Sequence, residues 1–139
     1  MSHPSSDINA LIQKAIVARE HAYAPYSKYK VGAVVRTRSG KVYTGCNVEF
    51  VNYTSVCAER SAIVNAISHG DQEIETVVVV TQSSSFGTPC GNCRQSIAEF
   101  NPKATIVVAN LKQDYKTYSL DELLPHMFTP KKLREGRPE

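Results

Sequence analysis

The chain has 139 residues, 42% apolar and 21% charged, which suits one core of ordinary size and excludes both a second core and extensive disorder. Sixteen Lys and Arg against thirteen Asp and Glu leave +3, too small an excess to argue for nucleic acid, so none is expected as a partner. No apolar run approaches the roughly 20 residues of a membrane span. Met1–Ala10 lacks a signal peptide's apolar stretch, so no membrane association and a cytoplasmic location are expected.

Ser5, Ser6 and Asp7 offer an N-cap to a helix on which Ile8, Leu11, Ile12, Ala15 and Ile16 recur at helical spacing, reaching about Ala22 and ended by Pro25 and Ser27. Tyr29–Thr37 and Lys41–Val48 flank Ser39-Gly40 and read as a β-hairpin. Its basic residues Lys28, Lys30, Arg36, Arg38 and Lys41 read as solvated strand and loop positions. Cys57–His69 carries Ala58, Ala62, Ile63, Ala66 and Ile67 on one face and stops at Gly70, the pattern of a buried helix. Ile74–Thr81 is a continuous β-branched run, as in a strand covered on both faces. After a polar loop, Gln82–Pro89, a third helix is expected from Cys90 to Phe100.

Ala104–Ala109 reads as another buried strand and Tyr115–Tyr118 as a weaker one. The link between them is too short for a parallel crossover, so they should pair antiparallel. Ser119 caps a short helix, Leu120–Leu124, stopped by Pro125, and residues 130–139 read as a loose charged tail. The order predicts an α/β fold, a three-layer α/β/α sandwich around one mixed five-stranded sheet, in a single domain spanning 1–139.

Pro89-Cys90-Gly91-Asn92-Cys93 opens the third helix, so two sulfurs project from one first turn and can grip one ion. The same spacing fits a thioredoxin-like centre, leaving a thiol oxidoreductase using Cys90 and Cys93 as an alternative. Cys57-Ala58-Glu59 tips the balance. Two helix starts carrying Cys57, Cys90 and Cys93 can converge on one Zn²⁺, leave its fourth position for water, and set Glu59 beside that water as proton carrier. Three thiolates overcharge the ion, so at least one of Arg60 and Arg94, each just after a motif, is expected to donate hydrogen bonds to the sulfurs, a surface ion pair being the alternative for each. Cys46 reads as a small buried hydrophobe, and His3, His21, His69 and His126 as terminal, helix-end or surface residues.

Cys-Ala-Glu followed by Pro-Cys-x-x-Cys resembles the signature of the zinc deaminases, with Cys in the His position. The likeness is to the cytidine deaminase family, in its small free-nucleoside branch. It extends to Pro25–Ala33, Gly45-Cys46-Asn47-Val48-Glu49, Cys57–Arg60, Pro89–Gln95 and Glu122–Pro125. The resemblance implies a cytidine deaminase-like fold, a homotetramer, and hydrolysis of cytidine and deoxycytidine to uridine and deoxyuridine with release of ammonia. A zinc hydroxide would attack C4 while Glu59 shuttles protons to N3 and to the departing amine. By matching motif, Asn47 and Glu49 would hold the ribose, Tyr29 would stack on the base where the family has Phe, and the Thr88 carbonyl would accept from the exocyclic amine. Phe128 would reach a neighbouring subunit's pocket, and Ala58 completes the implied substrate contacts.

Two features depart from the pattern. The Asn47–Cys57 segment is one residue shorter than usual, and Phe50-Val51 replaces Asn-Ala after the ribose glutamate. A modified cytosine nucleoside, or the substrate of the similar blasticidin-S deaminase, is therefore the alternative to cytidine.

Overall fold

The two β-branched runs form neighbouring parallel strands inside a five-stranded sheet. In the computed structural model, whose described residues are 5–138, the elements are α1 (Ser5–Glu20), β1 (Gly32–Thr37), β2 (Val42–Cys46), β3 (Val48–Glu49), β4 (Ser55–Val56), α2 (Ala58–Ser68), β5 (Ile74–Val80), α3 (Gly91–Phe100), β6 (Thr105–Ala109), β7 (Tyr115–Ser119), α4 (Leu120–Leu123) and α5 (Pro130–Gly136). The sheet order is β2-β1-β5-β6-β7. Only β5 and β6 run parallel, with α3 in their connection; β6 and β7 are antiparallel, as the short link requires.

Side chains of these strands alternate between faces. Val77, Val79, Ile106 and Val108 meet Ala62, Ile63 and Ala66 of α2 and Ile97 of α3, whereas Val78, Val80, Val107 and Ala109 meet Leu11, Ile12 and Ala15 of α1. Each valine buried this way stabilises the fold by about 1.5–3 kcal/mol. The sheet is thus covered on both sides, the expected α/β/α sandwich.

Two glycines let the helices settle closely. A Cβ on Gly32 would lie 2.0 Å from the Ala15 carbonyl oxygen, and one on Gly45 would lie 2.3 Å from the Ala62 nitrogen and 2.6 Å from the Ala58 carbonyl oxygen. Gly45 therefore fixes how near the first turns of α2 come to the sheet.

The differences from expectation are local. The cap expected of Ser5 or Ser6 depends on side chains outside the described residues, as does the placement of His3. The first hairpin strand starts at Gly32 instead of Tyr29, because the Tyr29 carbonyl and the Val31 N–H are bonded to the side chain of Asn47. A second small sheet, β3 with β4, pairs Val48 with Val56 and Glu49 with Ser55.

Residues 130–136, expected as part of a loose tail, form α5. The Thr129 hydroxyl accepts from the Lys132 N–H at 3.3 Å and Pro130 opens the first turn, a capping pattern that favours a helix there. Ser119 does cap α4, its N–H and hydroxyl both donating to Glu122.

Candidate active site and metal centre

Cys57 and Cys90 are the N-cap residues of α2 and α3. Their thiols are left to meet each other beside two helix N-termini, whose partial positive charge favours thiolates. Cys93, one turn into α3, is buried. The Sγ atoms of Cys57, Cys90 and Cys93 lie within 4.8 Å of one another, Cys57 and Cys90 at 3.9 Å, and no disulfide joins them. A tetrahedral zinc with Zn–S of about 2.3 Å holds its sulfurs roughly 3.8 Å apart, so the donor set fits that ion.

The electrostatics agree. Burial pushes the Cys57 thiol up; burial, then the charges of Glu59 and Cys57, push Cys93 far up. At Cys90 burial is outweighed by hydrogen bonds from the Cys93 and Asn92 N–H groups and the neighbouring thiols, which hold it below its ordinary value. Three adjacent thiolates need a cation to coexist. Among the described residues this is the one cluster of three or more metal-ligating groups. Cys46, on β2, is half-buried rather than buried and stands outside it.

Glu59, in the first turn of α2, is 5% exposed, and burial raises its carboxyl above the usual range. It opens into a cavity of about 310 Å³ that Cys57, Ala58 and Cys90 line at one end and Asn47, Glu49 and Tyr29 at the other. Thr88 lines it as well, so the structure gathers all but one of the expected substrate contacts. The exception is Phe128, which lies outside the cavity, 55% exposed, with its carbonyl accepting from Gln95 Nε2 at 2.7 Å. Its neighbour Met127 joins the core beneath the sheet.

The end lined by Asn47 and Glu49 is a loop held by side chains. Asn47 Oδ1 accepts from the Val31 N–H and its Nδ2 donates to the Tyr29 carbonyl, both at 2.8 Å. Glu49 Oε1 accepts from the N–H groups of Tyr26 and Ser27, both at 3.1 Å, and Oε2 from the Ser27 hydroxyl. The Ser27 hydroxyl and then its N–H hold the Glu49 carboxyl below its usual range. Ser27 and Thr81 also line the cavity and were not anticipated individually. Thr81 had a signal in its position, since it follows the C-terminal end of a parallel strand, where α/β sheets bind ligands.

The arginines act otherwise than expected. Arg94 donates to the carbonyls of Pro89 and Leu123 and to the Thr88 hydroxyl instead of to sulfur. Helical side chains lean towards the N-terminus, which carries this guanidinium past Cys90 to the residues before it. Among the described residues Arg60 makes no hydrogen bond to a thiol; it lines a groove between α2 and α3 with Ile63, Ile67 and Phe100.

Residues 5–109, a span containing every cysteine and Glu59, match the family model of the cytidine and deoxycytidylate deaminase zinc-binding region. The chain belongs to that family. It is similar to a cytidine deaminase of Sporosarcina psychrophila, 40% identical over 129 residues that cover 91% of this chain and 95% of that one. A cytidine deaminase of Halalkalibacterium halodurans is 39% identical over 131 residues, covering 93% and 99%. In three dimensions it is similar to the cytidine deaminase of Burkholderia pseudomallei, with a TM-score of 0.83, 42% identity, and coverage of 92% of this chain and 100% of the other.

Membership makes the chain a zinc-dependent hydrolytic deaminase, and the oxidoreductase alternative loses its basis because Cys90 and Cys93 share their site with Cys57 and Glu59. No helix among the described residues is long and apolar enough to cross a membrane.

Proposed function

We propose that this deaminase converts cytidine and deoxycytidine to uridine and deoxyuridine, with Cys57, Cys90 and Cys93 as the zinc ligands. The observation that carries the reading is one cavity with the thiol cluster and a buried carboxyl at one end and a polar pair suited to a sugar at the other. When bound, the zinc ion supplies a water acidified towards neutral pH. Glu59 would accept that proton and pass it to N3 of the pyrimidine, then take the second proton from the hydroxyl added at C4 and give it to the departing amine. Its burial supports this role, because desolvation raises the carboxyl above its usual range and makes it a better proton acceptor than an exposed glutamate.

At the sugar end, counting donors and acceptors sharpens the assignment. Asn47 keeps one N–H and one lone pair after its two backbone bonds, and Glu49 Oε2 keeps one lone pair after the Ser27 hydroxyl. A single hydroxyl can take the Asn47 hydrogen and donate to Glu49, so the pair suits one ribose hydroxyl and leaves the other unread. Acceptance of both ribo- and deoxyribonucleosides follows. Tyr29 faces the base, and the Thr88 carbonyl accepts from its exocyclic amine.

The exposed Phe128 ring supports a homotetramer in which it closes a neighbouring subunit's pocket. One domain over 1–139, acting on free nucleosides in the cytoplasm in pyrimidine salvage, completes the proposal.

Ultraviolet absorbance on a substrate panel tests it: cytidine, deoxycytidine, 5- and N4-modified cytidines, free cytosine, adenosine and blasticidin S. Turnover of both unmodified nucleosides above all others is expected. Preference for a modified cytidine would assign the Tyr29 hydroxyl, which stands near Gly87 and Thr81, a selective role.

A further inference from the structure

The segment from Gln82 to Cys90, of which Gly87, Thr88 and Cys90 line the cavity, lies outside any helix or strand. Its last residues matter most, since Thr88 and Cys90 both line the cavity. They are held by Arg94. The half-buried guanidinium gives one donor from each nitrogen, Nε to the Pro89 carbonyl at 2.7 Å, Nη2 to the Thr88 hydroxyl at 2.9 Å and Nη1 to the Leu123 carbonyl at 2.6 Å. The last acceptor belongs to the end of α4, 29 residues further along the chain. The next residue, Gln95, bonds the Phe128 carbonyl, so adjacent side chains of α3 fasten both ends of the segment 123–128.

We infer that Arg94 is a positioning residue that locks the Thr88–Cys90 rim to the seat of the C-terminal segment. Three acceptors fanned around one planar group require a guanidinium; an ammonium is a point charge and cannot span them. With the fork removed, Thr88 and Pro89 have no other described side chain donating to them, and the rim is free to shift by the ångström or so that weakens a positioned substrate contact. The inference rests on the deaminase reading for its kinetic consequence and on geometry alone for its effect on zinc.

Both can be measured on the zinc-loaded full chain with Arg94→Ala and Arg94→Lys. For Arg94→Ala, KM for cytidine should rise about tenfold with kcat falling less than about threefold, and transfer of zinc to a chelating dye, followed without substrate, should be faster than in the native protein. Arg94→Lys should fold with an unchanged melting temperature yet keep most of the KM increase, and millimolar guanidinium should lower the KM of Arg94→Ala. Native KM and native zinc transfer in either variant would overturn the inference, Arg94→Lys alone deciding it if Arg94→Ala is insoluble. A native protein that deaminates no nucleoside would instead defeat the deaminase reading, and the zinc-transfer rates would still decide the role of Arg94.

Discussion

The two ends of the cavity are built by different means. At the thiol end Cys57, Glu59, Cys90 and Cys93 come from the first turns of α2 and α3, helices whose inner faces are buried against the sheet. At the end proposed to hold the sugar, residues 26–31 lie outside any strand and hang from Asn47 and Glu49 by five side-chain hydrogen bonds. Core packing fixes the first, whereas individual hydrogen bonds, three of them to one carboxylate, fix the second. On the proposed function the division is fitting: a metal and its proton carrier need fixed distances and would sit on the rigid side, while a substrate that must enter and leave would be recognised on the side that opens locally at lower cost.

The contrast breaks most completely at the metal. Cys57→Ala should reduce zinc from one per chain to none, since among the described residues no further thiol or imidazole belongs to the cluster to replace it. Elemental analysis of purified protein checks this, and a full complement of zinc in the variant would remove Cys57 from the ligand set.

Glu59→Gln tests chemistry without disturbing the support. Fold and zinc content should be unchanged while kcat falls by at least about 10³, the scale of losing a positioned general acid–base. Single-turnover rates that match the native protein would place the proton carrier elsewhere.

At the other end, Glu49→Ala should lower kcat/KM for nucleosides by roughly 10- to 100-fold, as for the loss of one charge-assisted hydrogen bond. Free cytosine separates the residue's two roles. If Glu49 mainly bonds the sugar, the small turnover of cytosine should be unaffected; if bracing the 26–27 turn dominates, cytosine and cytidine should suffer alike.

The same contrast explains what was legible in the sequence. The buried strands Ile74–Val80 and Thr105–Ala109 and the helices behind the thiols announce themselves by composition and period, and Cys57, Glu59, Cys90 and Cys93 stand at helix starts, where spacing converts into geometry. The loop end gives no comparable signal. Asn47 and Glu49 bond to backbone groups of residues 26–31, and a backbone N–H has no letter in the sequence. Arg94 misled for the same reason, its partners being two carbonyls and a hydroxyl. Met127 and Phe128 are adjacent apolar residues that nothing in the letters tells apart, and the fold decides that Met127 turns inward while Phe128 stays exposed.

The smallest expected effect belongs to neither end and serves as the control. Asp71, in the turn after α2, accepts from the hydroxyls of Thr37 at 2.7 Å, Tyr43 at 3.1 Å and Ser39 at 3.2 Å, and so ties the β1–β2 hairpin to the helix end. The Thr37 bond chiefly, with the Tyr43 and Ser39 bonds, holds its carboxyl below the usual range against the opposing effect of burial. The folded chain therefore keeps this carboxylate charged where the unfolded chain, with an ordinary value of about 3.9, has begun to take up a proton. Its stabilising contribution is complete above that unfolded value and is lost as pH falls through the lower folded one. Asp71→Asn should lower the urea midpoint at pH 7, and the gap between variant and native protein should narrow steadily as the pH is taken below about 4. Deamination per folded molecule should be unchanged, because Asp71 lines no part of the cavity. A gap that stays constant down to pH 2.5 would mean that the charge contributes nothing. A loss of activity at pH 7 without unfolding would mean that the hairpin's tether reaches Asn47 and the sugar end, and that the two ends are less separate than their construction suggests.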